Sequence, residues 1–407
     1  IMAHLENTGL LHGSQFGFRA NRSCELALNT MIDEWRRSLD ISKSLVSVFL
    51  DLSKAFDTVD HTLLIRKLQF YNFSIDTIKL ISNYLSNRTI RVNIDGTLSK
   101  SEKMSVGIPQ GTVLGPVLFI VYINDMCHLP LSAILILFAD DTSAYLSGFN
   151  LTEILEKLAM DMEIIKEWLN HNRLVLNLSK THAIHFPTKL EKLSTNLPNL
   201  SELSIKCGVE KIGFVKETKI LGVILDNELK FTAHVDAVCK KVNYKSFLLS
   251  KTIHLFSKHF RPTLFKLLIQ SHFDYCSSLI LHIAKMDRNR LERCFNKSIY
   301  RLLRINIFEL HHEVQYPILK EYNILPYTYR QLFHFTSFLY KIVNNKSSDL
   351  FKNIDKYNKT RAGNLNLDRS SRTPYTVPSF KTDFMKYSFS RTSINFLNTF
   401  LTKFINS

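Results

Sequence analysis

Apolar positions along the first half of the chain change period several times, and each change marks an element. Residues 45–52, LVSVFLDL, form an unbroken apolar run that ends in a carboxylate, the pattern of a buried strand. From 59 to about 70, and again from 74 to 85, apolar residues fall at helical spacing, with Ser74 placed to cap the second helix. Residues 91–106 contain Asp95-Gly96, a two-residue hairpin signal. A Gly/Pro loop at 107–111 leads into an apolar helix at 112–122, and 134–146, ILILFADDTSAYL, reads as two strands joined through an Asp-Asp turn. Leu151, Ile154, Leu155, Leu158, Met162, Ile165 and Leu169 then trace one stripe of a long helix that lies across a sheet, opened by Asn150 and Glu153 in the manner of a capping box. Residues 173–186 return to a strand pattern, 218–225 give one more short strand, and beyond 230 helices dominate. Residues 355–381, rich in Asn, Ser, Arg and Pro, read as irregular. No internal repeat is present.

Charge divides the chain. Of 407 residues, 52 are Lys or Arg and 36 Asp or Glu, a formal net charge of +16. Residues 231–407 hold 28 basic and 11 acidic side chains, +17, so the whole excess lies behind a near-neutral first half. That asymmetry points to a polyanionic partner for the second half. Six scattered cysteines without a CxxC pair suggest neither a disulfide framework nor a zinc knuckle. Fifteen histidines give no HExxH pattern, and no GxxxxGK loop is present. The longest apolar run, 113–123, is too short for a bilayer span and is broken by Gly115 and Pro116, so no membrane segment is expected.

The chemistry is concentrated at strand ends. Asp51 closes one apolar strand, and Asp140 and Asp141 occupy the turn of an apolar hairpin about 90 residues later. Carboxylates at the ends of neighbouring strands can converge on divalent metals and serve an in-line phosphoryl displacement. Mg²⁺ suits such oxygen ligands. An Asp-Asp pair alone is an ordinary turn, so the surrounding motifs decide.

Those motifs, in order and spacing, resemble the palm of reverse transcriptases. VFLDLSKAFDTVDH at 48–61, GIPQGTVLGPVLFIVYIND at 107–125 and FADD at 138–141 are the three central ones. QFGFRANRS at 15–23, LNLSKT at 176–181 and KILGVILD at 219–226 resemble the flanking ones. In detail the chain is similar to the non-LTR, LINE-type retrotransposon enzymes of the jockey kind, over residues from about 5 to about 235.

The resemblance implies roles. Asp51 and Asp140 are implied as ligands of two Mg²⁺ ions, with Mn²⁺ an alternative, and Asp141 as a supporting carboxylate. Phe56 matches the aromatic that blocks a nucleotide 2′-OH; Pro109, Gln110 and Gly111 match the loop against the incoming nucleotide and template. Arg19 matches an arginine that pairs with the triphosphate, Lys180 a lysine that protonates the pyrophosphate, and Leu221-Gly222 the primer-grip turn. Asp57 and Asp60 read instead as helix-start residues. Beyond the palm, Arg290, Arg293, Lys297, Arg301 and Arg304 recur at spacings of 3, 4, 4 and 3, one cationic helix face for nucleic-acid phosphates.

The implied fold is α+β, a right-hand polymerase. Partial fingers and a palm with an antiparallel sheet occupy 1–230, a basic helical thumb 231–310, and a mostly helical C-terminal extension 311–407. The implied activity is RNA-directed DNA polymerisation, with an RNA template, a DNA primer and dNTPs as partners and a cytoplasmic and nuclear setting. The family normally carries an endonuclease and further fingers strands upstream. This chain, starting at Ile1, is therefore expected to be a piece of a longer product that keeps the metal site and polymerises weakly. The alternative is an inactive remnant that only holds nucleic acid; other palm enzymes, such as RNA-templated RNA polymerases or nucleotide cyclases, are the further rivals.

Overall fold

A computed structural model describes residues 1–193, 199–281, 283–304, 312–344, 349–356, 375 and 388–405. They divide into two compact units, residues 1–27 with 42–216 and residues 28–41 with 217–407.

The first unit is built on a four-stranded antiparallel sheet. Its short opening helix α1 (Met2–Asn7) is followed by α2 (Cys24–Asp40), whose later turns belong to the second unit. Strand β1 (Ser44–Leu50) is buried at every position, which is why its sequence reads as a continuous apolar run rather than an alternation. Helices α3 (His61–Phe70) and α4 (Ile75–Leu85) follow, capped by the side chains of Asp60 and Ser74. Four two-residue strands come next: β2 (Thr89–Ile90), β3 (Asn93–Ile94), β4 (Thr97–Leu98) and β5 (Glu102–Lys103). At the β3–β4 turn Asp95 and Gly96 both take positive φ, as a tight hairpin requires.

Helix α5 (Leu114–Ile123) is buried along nearly its whole length. It is followed by the hairpin of β6 (Ile134–Phe138) and β7 (Asp141–Gly148), then by α6 (Leu151–His171), β8 (His182–Phe186) and α7 (Lys189–Leu193). The sheet order is β6-β7-β1-β8. Asn150 caps α6 through Thr152 N–H, but Glu153 pairs with Lys157 instead of closing a capping box. Ile154, Leu158, Met162, Ile165 and Leu169 share a core with Val46, Val48 and Leu50 of β1 and with α5. The hairpin of β9 (Ser204–Cys207) and β10 (Glu210–Gly213) completes the unit. Only 182–186 of the expected strand region 173–186 forms a strand; residues 175–181 run instead as a linking segment beside the end of β1.

In the second unit, residues 217–226 form two strands, not one: β11 (Glu217–Ile220) and β12 (Val223–Asp226) pair across Leu221-Gly222. Leu221 (φ +45°) and Gly222 (φ +82°) supply the reversal that a single strand lacks. Helices then dominate: α8 (Thr232–Thr252), α9 (Arg261–Phe265), α10 (Ser271–Asp274), α11 (Lys285–Leu303), α12 (His312–Lys320), α13 (Tyr327–Asn344), α14 (Asp349–Asp355) and α15 (Phe389–Ile405). The later turns of α2 are held inside this unit: Asp33 accepts the N–H and hydroxyl of Ser390. Burial pushes the neighbouring Arg36 down to about 10, while the charges of Asp33 and Asp226 oppose the shift. Most of 355–381, expected to be irregular, lies outside the described residues. No described helix is long and apolar enough to cross a membrane.

Candidate active site

Sheet register assembles the acidic residues. In the β6–β7 hairpin Phe138 pairs with Asp141, so the turn is Ala139-Asp140 and Asp141 already belongs to β7. The expected Asp-Asp turn is thus displaced by one residue: Ala139, at φ +56°, takes the left-handed position. Along β1 and β7 the final recorded pair is Leu50 with Thr142. Asp51 follows Leu50 directly and Asp141 precedes Thr142, so both stand at the same end of that strand pair. Their proximity has an electrostatic signature, because burial, then the charges of Asp140 and Asp51, raise the Asp141 carboxyl above its ordinary range.

Asp51 is held from its other side by 175–181. Its carbonyl accepts the Asn177 N–H (2.8 Å), its own N–H donates to Thr181 Oγ1 (3.3 Å), and Ser53 N–H donates to the Val175 carbonyl (2.8 Å). The same segment brings Lys180 Nζ to 4.0 Å from Asp51 Oδ2. Lys180 is 70% exposed, so its ammonium stays open to a ligand arriving from solvent.

The Gly/Pro loop packs onto the residues just beyond Asp51. Ile108 N–H donates to the Phe56 carbonyl and Gly107 N–H to the Val59 carbonyl, both at 2.8 Å. A Cβ on Gly107 would lie 2.8 Å from the Asp57 carbonyl oxygen at φ +90°, so only glycine fits. Gln110 Nε2 donates to Asp57 Oδ1 (2.8 Å), and the Pro109 carbonyl accepts the Thr112 hydroxyl (2.8 Å). Gly111 takes φ +74°. Half-buried Phe56 stacks on Phe119 with centroids 4.3 Å apart and planes at 21°. Asp60 caps α3 and pairs with Arg173, while Asp57 holds Gln110.

Other expected residues are placed differently. Arg19 forks onto Glu6 (2.9 and 2.7 Å) and donates to the carbonyls of His12 (2.7 Å) and Gln15 (3.2 Å), so its guanidinium is committed within the protein. In the second unit Leu221 and Gly222 form the β11–β12 turn, where Tyr275 Oη donates to the Leu221 carbonyl (2.6 Å). The five expected basic residues along α11 and its C-cap, Arg290 to Arg304, do not form one open face. Arg290 pairs with Asp236 of α8 and with Asp287, and Arg301 donates to the Asn243 carbonyl (3.2 Å) and Ser246 Oγ (3.0 Å) of α8. Arg293, Lys297 and Arg304 are exposed. The 3-4-4-3 spacing keeps all five within one arc of about 80°, but Arg290 and Arg301 stand at its edge toward α8 and are taken up there.

Among the described residues, no three His, Cys, Asp or Glu side chains gather closely enough to cage a metal unaided. Three convergent carboxylates were expected, and they are neighbours without closing into such a cage. Like charges with nothing between them repel, and a Mg²⁺ site completes its shell with water and substrate phosphates. The donors present are hard carboxylate oxygens, and the raised Asp141 marks a place where added positive charge is favourable. The set fits a divalent cation. Sequence reasoning did not single out two supports of this site, Thr181 and Asn177, although both stand inside the recognised motifs.

The sequence matches the reverse transcriptase (RNA-dependent DNA polymerase) family over residues 1–225. It is 26% identical over 228 residues to the RNA-directed DNA polymerase from mobile element jockey of Drosophila melanogaster, covering 54% of this chain and 24% of that protein. It is also 26% identical over 257 residues to the probable RNA-directed DNA polymerase from transposon X-element of the same species, covering 60% and 26%. The chain thus spans about a quarter of the length of these relatives. Among solved structures, apo telomerase from Candida tropicalis aligns with a TM-score of 0.41 and 11% identity over 85% of this chain and 57% of that one. With more than half of its residues inside the family match and mobile-element polymerases as its relatives, this chain belongs to the reverse transcriptase family, among the non-LTR, LINE-type members.

Proposed function

We propose that this chain carries the polymerising centre of an RNA-directed DNA polymerase, which adds deoxynucleotides to a primer 3′-OH on an RNA template. The observation that carries the reading is the nearness of three carboxylates: Asp51 directly follows β1, Asp141 opens the neighbouring β7, and Asp140 stands in the adjoining turn. Asp51 and Asp140, supported by Asp141, would hold two Mg²⁺ ions, and Mn²⁺ has the same ligand preference. Such ions, when bound, stabilise the attacking and leaving oxygens of an in-line displacement.

The protein's own groups do the rest. Lys180, 4.0 Å from Asp51, carries a proton that can pass to the departing pyrophosphate as the 3′-oxygen bonds to the α-phosphorus. Phe56, braced by Phe119, occupies the space of a ribose 2′-OH and so selects deoxynucleotides by exclusion. Pro109, Gln110 and Gly111 form the loop that the base pair rests against, tied to the Asp57 carboxylate. In this reading Arg19 ties the 12–15 segment to Glu6 rather than gripping the triphosphate. The Leu221-Gly222 turn offers backbone to the primer end, and Arg293, Lys297 and Arg304 offer charge to phosphates.

Incorporation of dNTPs on a primed RNA in Mg²⁺ tests the proposal. Asp140→Asn should lower incorporation by about 100-fold or more while RNA affinity is kept, since affinity comes from the basic residues. RNA binding by both proteins with incorporation by neither would leave a nucleic-acid-holding body without chemistry.

A further inference from the structure

Behind the acidic turn lies a second layer that none of the assigned roles uses. Gln15 makes a single parallel bridge to Leu137 of β6: Phe16 N–H donates to the Leu137 carbonyl (2.7 Å) and Leu137 N–H donates to the Ser14 carbonyl (2.9 Å). From there the Gln15 side chain, wholly buried, reaches the turn itself. Its Oε1 accepts the N–H of Ala139 (3.2 Å) and that of Gly17 (2.7 Å).

We propose that Gln15 is a positioning residue for the Asp140–Asp141 carboxylates, a role that rests on the reading of those carboxylates as metal ligands. Three observations carry it. Ala139 is the non-glycine residue at φ +56° on which the direction of Asp140 depends, and such a conformation persists only where its surroundings hold it. Gly17 touches the same point, since a Cβ there would lie 2.4 Å from Ala139 N, so backbone and side chain press on the turn together. Finally, Gln15 Nε2 is buried without a hydrogen-bond partner among the described residues. Both facing groups are N–H donors, which fixes the amide with its oxygen toward them and leaves the donor end unmatched. An unmatched buried donor costs stability that an apolar residue of the same shape would not incur. What glutamine supplies in return is the acceptor that clamps Ala139.

Direct Mn²⁺ binding, followed by electron paramagnetic resonance, tests the proposal in the full chain. Gln15→Met keeps the volume and removes the acceptor; it should weaken Mn²⁺ binding by about tenfold, within the range for outer-shell groups at metal sites. Gln15→Glu keeps an acceptor oxygen and should bind more tightly than the Met variant. Native-like binding by Gln15→Met, or equal loss in both variants, would overturn the idea. Should Gln15→Met fail to fold, amide exchange in the native chain decides: an Ala139 N–H protected like those of β6 supports the clamp, and one exchanging like an open turn refutes it. Failure of the underlying reading looks different, because the native chain would then bind no Mn²⁺ that Asp140→Asn removes.

Discussion

In the proposed function the Phe56 ring, stacked on Phe119, is the group that decides which sugar is accepted. Phe56→Val should therefore raise the use of ribonucleotides relative to deoxynucleotides by at least about 10-fold, the scale at which apolar pocket changes discriminate. Competition between the two nucleotide types in one extension assay measures it. Asp141 makes a prediction about pH. Its folded-state pKa is raised, so its contribution to stability is greatest when it is protonated and is lost as pH rises through that raised value. In metal-free buffer Asp141→Asn should melt higher than the native chain at neutral pH, by on the order of 1 °C because solvent screens the site. The difference should shrink as pH falls. Asp51, Asp140 and Asp141 were legible because they stand inside ordered motifs; an Asp-Asp pair alone reads as an ordinary turn. The Arg19–Glu6 clasp was not, since no spacing rule links residues 13 positions apart outside one helix.

Helix α11 illustrates why an element's existence is easier to read than its exposed side. Periodicity shows that 285–303 is helical and basic, but which arginines meet solvent depends on α8, whose Asp236, Asn243 and Ser246 capture Arg290 and Arg301. Replacing Arg293 and Lys297 together with Gln should leave folding unchanged and reduce the slope of log RNA affinity against log salt by roughly 1.4 to 1.8. Replacing Arg290 and Arg301 should instead lower thermal stability, because their partners on α8 are left unmatched. Salt titrations and melting curves on the two double variants separate these outcomes. The short hairpins were legible only where the turn carried a strong signal. Asp95-Gly96 announced β3 and β4, while Leu221-Gly222 has an apolar residue in the left-handed position, so the hydrophobic pattern ran on as one strand and only the family resemblance marked a turn there.

On the scale of the whole molecule, the residues given roles in the proposal are divided between the two units. The first holds the carboxylates, Lys180, Phe56 and the Gly/Pro loop; the second holds the Leu221-Gly222 turn and nearly all of the excess positive charge. Composition revealed that asymmetry. The later turns of α2 escaped it, because their place in the second unit depends on distant partners such as Ser390. The central claim concerns where a divalent cation goes in the first unit. Anomalous scattering from crystals grown with Mn²⁺, a primed RNA and a non-hydrolysable deoxynucleotide locates it directly. Mn²⁺ peaks bounded by the carboxylates of Asp51 and Asp140 are the predicted result; well-ordered Mn²⁺ bound elsewhere, with those carboxylates bare beside a bound nucleotide, would contradict the account.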